Sequence, residues 1–152
     1  DASGDVVAGD PPPGKRGWQV GLARPASQPG PLPRIVLANQ ALAGSGDAKQ
    51  FLEVDQTRWS HLLDPLQREP VVGQNLTLVL APDGTTADAL ASALSVCPAD
   101  QFTLILLAFP GVDAKSYRQL AADREPVILE SPHWTERTLA LEVPATPDSE
   151  QR

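Results

Sequence analysis

Asp88 and Ser92 stand four residues apart in Thr86-Ala87-Asp88-Ala89-Leu90-Ala91-Ser92. On a helix that spacing puts a carboxylate and a hydroxyl on one face, within reach of a single ion. Magnesium suits so sparse a pair, because it takes one or two protein carboxylates and completes its octahedron with water and substrate phosphates. The plainer reading, which spacing alone favours, is that Asp88 belongs to a helix cap three residues after Thr85. One strand earlier, Ser60-His61-Leu62-Leu63-Asp64-Pro65 sets a titratable imidazole beside a turn-forming Asp-Pro. At a strand end facing a cleft, His61 can take a proton from a hydroxyl nucleophile near neutral pH; the alternative is a half-buried structural imidazole. Ser45-Gly46-Asp47 follows a strand ending at Ala43-Gly44 and reads as a glycine-permissive turn whose amides can approach a phosphate or a ring. Gly4-Asp5 and Gly9-Asp10 are weaker instances, and turns of this kind mostly serve only the fold. His133, between Pro132 and Trp134, reads as a surface loop residue.

These residues need elements to hold them. Trp18 to Leu22 and Arg34 to Ala38 have strand character, and Phe51 to Asp55 with Arg58 to Leu63 predicts a hairpin around Gln56-Thr57. Asn75 to Leu80 alternates Leu76, Leu78 and Leu80 with Thr77 and Val79, the pattern of a strand buried mostly on one face. Together these five strands predict one sheet with a middle helix packed on it. That helix follows Asp83-Gly84, takes Thr85 as its N-cap and stops near Val96, before Pro98. At 100° per residue Asp88, Ser92 and Ser95 share a stripe, with Leu90, Leu94 and Cys97 opposite. Asp100 to Phe109 suits either a second helix capped by Asp100 or a buried strand, and periodicity does not separate them. Val127 to Glu130 is one more strand. The fold class expected is α+β, a mixed or antiparallel sheet with one or two packed helices, in a single domain over residues 1–143 with a disordered polar tail over 144–152.

Composition narrows the function. A net charge of −7 and no basic cluster argue against a general nucleic-acid binder. No apolar run approaches the roughly 20 residues that cross a bilayer, so a soluble chain is expected. The single Cys97, among Leu94, Val96 and Pro98, reads as a small buried apolar group. The opening Asp1-Ala2-Ser3-Gly4-Asp5 has neither a charged nor a hydrophobic leader, so no targeting peptide is expected. The GxGxxG, P-loop, GxSxG, HExxH and CxxC patterns are all absent, which removes the commonest nucleotide, hydrolase and zinc sites.

Taken in order, Ser3-Gly4-Asp5, Gly17-Trp18-Gln19-Val20-Gly21-Leu22, Ala43-Gly44-Ser45-Gly46-Asp47, Ser60-His61-Leu62-Leu63-Asp64-Pro65 and Thr86 to Ser92 resemble the C-terminal half of the ApbE family, the FAD:protein FMN transferases. The resemblance runs from the first residue to about Gly111. It implies that Asp88 and Ser92 are magnesium ligands, with serine where threonine is common. It implies that His61 is needed for activity and that Leu62 touches the flavin, while Asp5, Ser45, Gly46 and Asp47 lie near the cofactor cleft. The implied reaction moves FMN from FAD to a threonine or serine hydroxyl of a target flavoprotein and releases AMP. Such chemistry needs developing charge neutralised and a nucleophile aligned. The resemblance also implies a bacterial cell-envelope or periplasmic setting.

The chain departs from that pattern in two respects. Asp64-Pro65 is followed by Leu66-Gln67-Arg68 where Arg-Thr-Gly is usual, so the turn and a basic contact are expected to be missing. The segments of an N-terminal half are not found. The expectation is therefore a truncated or split transferase, inactive alone and completed by its missing half or a partner chain. The alternatives are a non-catalytic flavin-binding or interaction module of the same lineage, and a small interaction domain whose motifs serve only the fold.

Overall fold

A computed structural model describes residues 4–25, 28, 30, 32–47, 51–121 and 124–139; the tail expected over 144–152 lies outside them. The elements in chain order are β1 (Val6–Ala8), β2 (Trp18–Gly21), β3 (Arg34–Leu37), β4 (Gln40–Gly46), β5 (Phe51–Val54), β6 (Thr57–Asp64), β7 (Glu69–Val72), β8 (Gln74–Ala81), α1 (Gly84–Val96), α2 (Phe102–Leu107), β9 (Asp113–Gln119), β10 (Val127–Glu130), α3 (Trp134–Arg137) and β11 (Thr138–Leu139). Among the described residues every strand pairing is antiparallel. The class is α+β, as the sequence indicates.

The five strands expected in one sheet are divided among three. A five-stranded sheet runs β1-β4-β8-β9-β10, a three-stranded sheet β11-β3-β2, and a second three-stranded sheet β5-β6-β7. The reason lies in β8, whose Thr77, Val79 and Ala81 and whose Leu78 and Leu80 are all buried. It is covered on both faces, not on one. Ala41 and Ala43 of β4, Val79 and Ala81 of β8 and Ala114 of β9 meet Ala87, Leu90, Ala91 and Leu94 of α1. On the opposite face Leu42, Leu78 and Leu80 meet Leu22, Ile35, Leu37 and Trp134, so the sheet holding β2 and β3 forms a separate layer. Alanines where α1 lies let its backbone approach closely. Leucines on the other face fill a wider gap between sheets.

The expected hairpin β5–β6 forms, but it turns on Asp55 and Gln56, both at positive φ, one residue before the expected Gln56-Thr57, and Thr57 already pairs with Val54; this is the geometry of a tight primed turn whose twist matches its strands. Helix α1 is capped by Asp83 and not by Thr85: the Asp83 carboxylate accepts from the Thr86 backbone N–H at 2.8 Å and from the Thr86 hydroxyl at 2.8 Å. Ser95 is not on the open stripe with Asp88 and Ser92. It is buried, donating to the Ala91 carbonyl at 2.8 Å. The segment from Asp100 is a helix, but Asp100 does not cap it; Gln101 holds the N-cap position and makes no side-chain cap bond. Only Phe102 of α2 is fully buried. Cys97 is buried as expected.

Candidate functional site

Helix α1 lies over β4 with Asp88 and Ser92 both exposed. With Asp83 serving as the cap, Asp88 is not consumed by the helix N-terminus, and the capping explanation for it falls. The Asp83 carboxyl is held below its ordinary range, first by the Thr86 backbone N–H and then by the Thr86 hydroxyl.

The strand β6 delivers His61 from a distorted stretch and not from its end. Its pairing with β7 runs Trp59 to Val72 and then Leu63 to Pro70, four positions on β6 against two on β7. Such a bulge breaks the alternation of side chains, so consecutive His61 and Leu62 both reach the same cleft. The Ser60 hydroxyl, accepting from the Leu62 N–H at 3.1 Å, supports the irregular backbone.

Strand β4 supplies the floor. Ser45 and Gly46, expected in a turn, continue the strand and pair with Thr77 and Leu76. A side chain at Gly46 would bring its Cβ to 2.5 Å from the Asn75 carbonyl oxygen, so glycine is what this floor permits. The edge neighbour β1 pairs only with Gln40 to Leu42. Beyond it, the Gly44 N–H donates to the Asp5 carboxylate at 3.0 Å. Asp5 therefore shapes the wall of the cleft through β4, while Gly4 lines it.

The result is a cleft of about 550 Å³ along the β4 edge, in which Ser45, Gly46, His61, Leu62, Asp88 and Ser92 face one space. Asp47 is not among its lining residues. It is buried, its carboxylate accepting from the Asn75 N–H at 3.0 Å and lying 3.5 Å from Arg58 Nε. Of the predicted residues the structure thus gathers six at one cleft, puts Asp5 behind its wall and Asp47 in the interior. The sequence did not single out Leu42, Leu76 and Leu78, which also line it. The alternation of β8 was the signal available for the last two.

The turn after Asp64-Pro65 is kept, against expectation. Asp64 accepts from the Leu66 N–H at 2.8 Å and the Gln67 N–H at 3.2 Å. Arg68 adopts φ of 60° where the usual pattern has glycine. A separate hollow of about 420 Å³ beside the C-terminal end of α1, lined in part by Glu69, Cys97 and Arg118, shares none of the six cleft residues.

One carboxylate and one hydroxyl on adjacent helical turns form a small oxygen donor set. Among the described residues no cluster of three or more His, Cys, Asp or Glu could hold a metal. The pair fits a hard cation that retains waters and takes substrate oxygens, and does not form a closed cage.

A layered α+β fold with an open cleft at a sheet edge defines the class of protein. The chain belongs to the ApbE family, whose model matches residues 1–114. Over 100 residues it is 34% identical to the FAD:protein FMN transferase of Treponema pallidum, a match covering 64% of this chain and 27% of that protein. Over 81 residues it is 31% identical to the FAD:protein FMN transferase of Vibrio cholerae, covering 52% of this chain and 24% of that protein. The crystal structure of the ApbE protein from Thermotoga maritima superposes with a TM-score of 0.70 at 30% identity, covering 90% of this chain and 43% of the other. That of the Pseudomonas stutzeri flavinyl transferase ApbE in its apo form gives 0.66 at 23% identity, over 89% of this chain and 41% of the other, a likeness of fold. The chain spans about a quarter of the length of these curated relatives.

Proposed function

We propose that this chain carries the metal-holding and proton-accepting wall of a magnesium-dependent FAD:protein FMN transferase, from which the remainder of the site is supplied by further polypeptide. The observation that carries the reading is the meeting of Asp88, Ser92, His61, Leu62, Ser45 and Gly46 at one cleft. Asp88 and Ser92 would hold Mg2+, which when bound supplies positive charge against a pyrophosphate. In the reaction the acceptor threonine or serine oxygen bonds to the FMN phosphorus, the bond from that phosphorus to the AMP oxygen breaks, and AMP leaves. His61 takes the proton of the acceptor hydroxyl. Leu62 offers an apolar contact to the flavin, and the glycine-containing β4 edge allows backbone to approach FAD closely. The acceptor is a flavoprotein, and a cell-envelope setting goes with the proposal.

The test is a flavin fluorescence titration with and without Mg2+. FAD binding that needs Mg2+ and is lost in Asp88→Ala supports the reading; no Mg2+-dependent binding by the chain supplied with the remaining portion of the family fold refutes it. The small donor set at the cleft, one carboxylate and one hydroxyl beside His61, favours a second reading, a non-catalytic flavin-binding or interaction module. Covalent FMN on a target threonine, abolished in His61→Ala, would exclude that second reading, and Mg2+-dependent binding without transfer would favour it.

A further inference from the structure

The elements that bound the cleft, β4, β6 and α1, meet again at a buried polar cluster whose side chains do not line the cleft. Asp47 stands one residue beyond Gly46 on the wall formed by β4. Arg58 stands three residues before His61 on β6. Ser95 stands three residues beyond Ser92 on α1. Asn75 of β8 joins them: its N–H donates to Asp47 Oδ1 at 3.0 Å, and its side-chain amide donates to the Ser95 carbonyl at 2.6 Å. Arg58 Nη2 donates to the Asp47 carbonyl at 2.6 Å, and its guanidinium lies 3.5 Å from the centre of the Phe51 ring. The Ser95 hydroxyl approaches the Ser45 carbonyl at 3.5 Å.

The opposite charges in this cluster face each other without a hydrogen bond between them. Arg58 Nε and Asp47 Oδ2 lie 3.5 Å apart without hydrogen-bond alignment, and neither atom has another hydrogen-bond partner among the described residues. The contact is an ion pair: the Arg58 side chain is 22% exposed and that of Asp47 2%, and a buried charge is stable only opposite its counter-charge. Removing one partner leaves the other uncompensated, so the cluster has a strong preference for one arrangement.

We propose that Asp47 is a positioning residue: through Arg58 and Asn75 it fixes β6, β8 and the C-terminal half of α1 relative to β4, and so sets where His61 stands with respect to Asp88 and Ser92. It touches neither metal nor substrate. The proposal rests on the functional reading above only in what the positioned residues do; the positioning itself is a property of the chain without ligand.

The experiment compares amide NMR spectra of the isotopically labelled chain, free of metal and FAD, with those of Asp47→Asn. That change keeps an oxygen for the Asn75 N–H and removes the charge facing Arg58. Ile35→Val, in the core on the far side of the main sheet, serves as the control for general loss of stability. Asp47→Asn is expected to shift the amides of Gly46, His61, Leu62, Asp88 and Ser92, and Ile35→Val to leave them in place. Shifts confined to Asp47, Arg58 and Asn75 would overturn the proposal. Should Asp47→Asn fail to fold, Arg58→Lys, which keeps the charge and loses the Nη2 hydrogen bond to the Asp47 carbonyl, is scored by the same shifts. A second arm follows paramagnetic broadening of the His61 ring by Mn2+. The concentration needed should rise about tenfold in Asp47→Asn, the low end of what a disturbed ligand geometry costs a metal site, and an unchanged midpoint would also overturn the proposal. Failure of Mn2+ to broaden His61 in the unmutated chain strikes the magnesium reading instead, and the amide shifts then decide the positioning role.

Discussion

The C-terminal end of α1 carries no basic residue in its last turn, yet it is closed by charge from another element. Arg118 of β9 donates from Nη1 to the Cys97 carbonyl at 2.6 Å and from Nη2 to the Leu94 carbonyl at 2.5 Å, and its Nε reaches the Ser116 hydroxyl at 3.2 Å. Arg118→Met keeps the apolar stem and removes these donors. A hydrogen bond to a charged group contributes about 1.5–3 kcal/mol. Here the low end applies, because water in the adjoining hollow, which Arg118 and Cys97 both line, can re-solvate the carbonyls. Two such bonds give a loss of about 3 kcal/mol. For a chain of this size that lowers the melting temperature by roughly 6–12 °C. The assay is thermal and urea unfolding by far-ultraviolet circular dichroism, with an unchanged urea slope and faster amide exchange at the end of α1. Lys115→Met, on the same strand, removes the partner of Glu130 in a pair with both side chains more than a third exposed, and should cost less than about 1 kcal/mol. If Arg118→Met melts within about 2 °C of the parent, or falls no further than Lys115→Met, the view of Arg118 as the closure of α1 is wrong.

Acid should loosen the other end of the same helix. The Asp83 carboxyl is depressed from 3.8 by its Thr86 bonds, so its contribution is complete above that value and is lost as pH falls through the lower folded value. Urea midpoints taken down an acid series should show the parent and Asp83→Ala converging, and a constant gap would contradict the cap. Gly73→Ala should cost about 3 kcal/mol or more, since φ there is 92° and a Cβ would overlap the Gln119 carbonyl oxygen; a midpoint near the parent's would refute that crowding. Thr77→Val removes a partner of the buried Ser116 hydroxyl at 2.8 Å and should cost about 1–2 kcal/mol. Thr77→Val combined with Ser116→Ala should cost less than the sum of the two single changes, and strict additivity would count against a shared bond.

Local elements were legible where one physical signal dominated. The β5–β6 hairpin, the span of α1 and strand β10 follow from turn chemistry, an Ala-rich stretch ended by proline, and a β-branched run. The division into three sheets was not legible, because Trp18 to Leu22 and Phe51 to Asp55 carry the same alternation whichever sheet they join; what assigns them is the shape of the two faces of β8. Strand β9 went unrecognised because Asp113-Ala114-Lys115-Ser116-Tyr117-Arg118-Gln119 has little apolar pattern, although it is largely buried. Its polar groups are answered from elsewhere in the chain, by Ser131 and Arg137 for Asp113 and by Thr77 for Ser116. At the site, the pair Asp88 and Ser92 was readable from helical spacing. The placement of His61 beside them depends on a bulge in β6, and the interior position of Asp47 on an arginine that spacing does not connect to it.

The composition of β9 also determines how faithfully the main sheet can assemble. A strand lined with leucine on one side can find its alignment by oiliness alone, but β9 must match Ser116 to Thr77 and Ala114 to Val79. Sliding it by one position would exchange the two faces, turning Asp113 and Lys115 toward the apolar helix and stripping Arg118 of its carbonyls. Misalignment is therefore penalised by stranded polar groups rather than by lost grease. The alignment that threads the sheet correctly is also the one that carries Arg118 to the end of the helix.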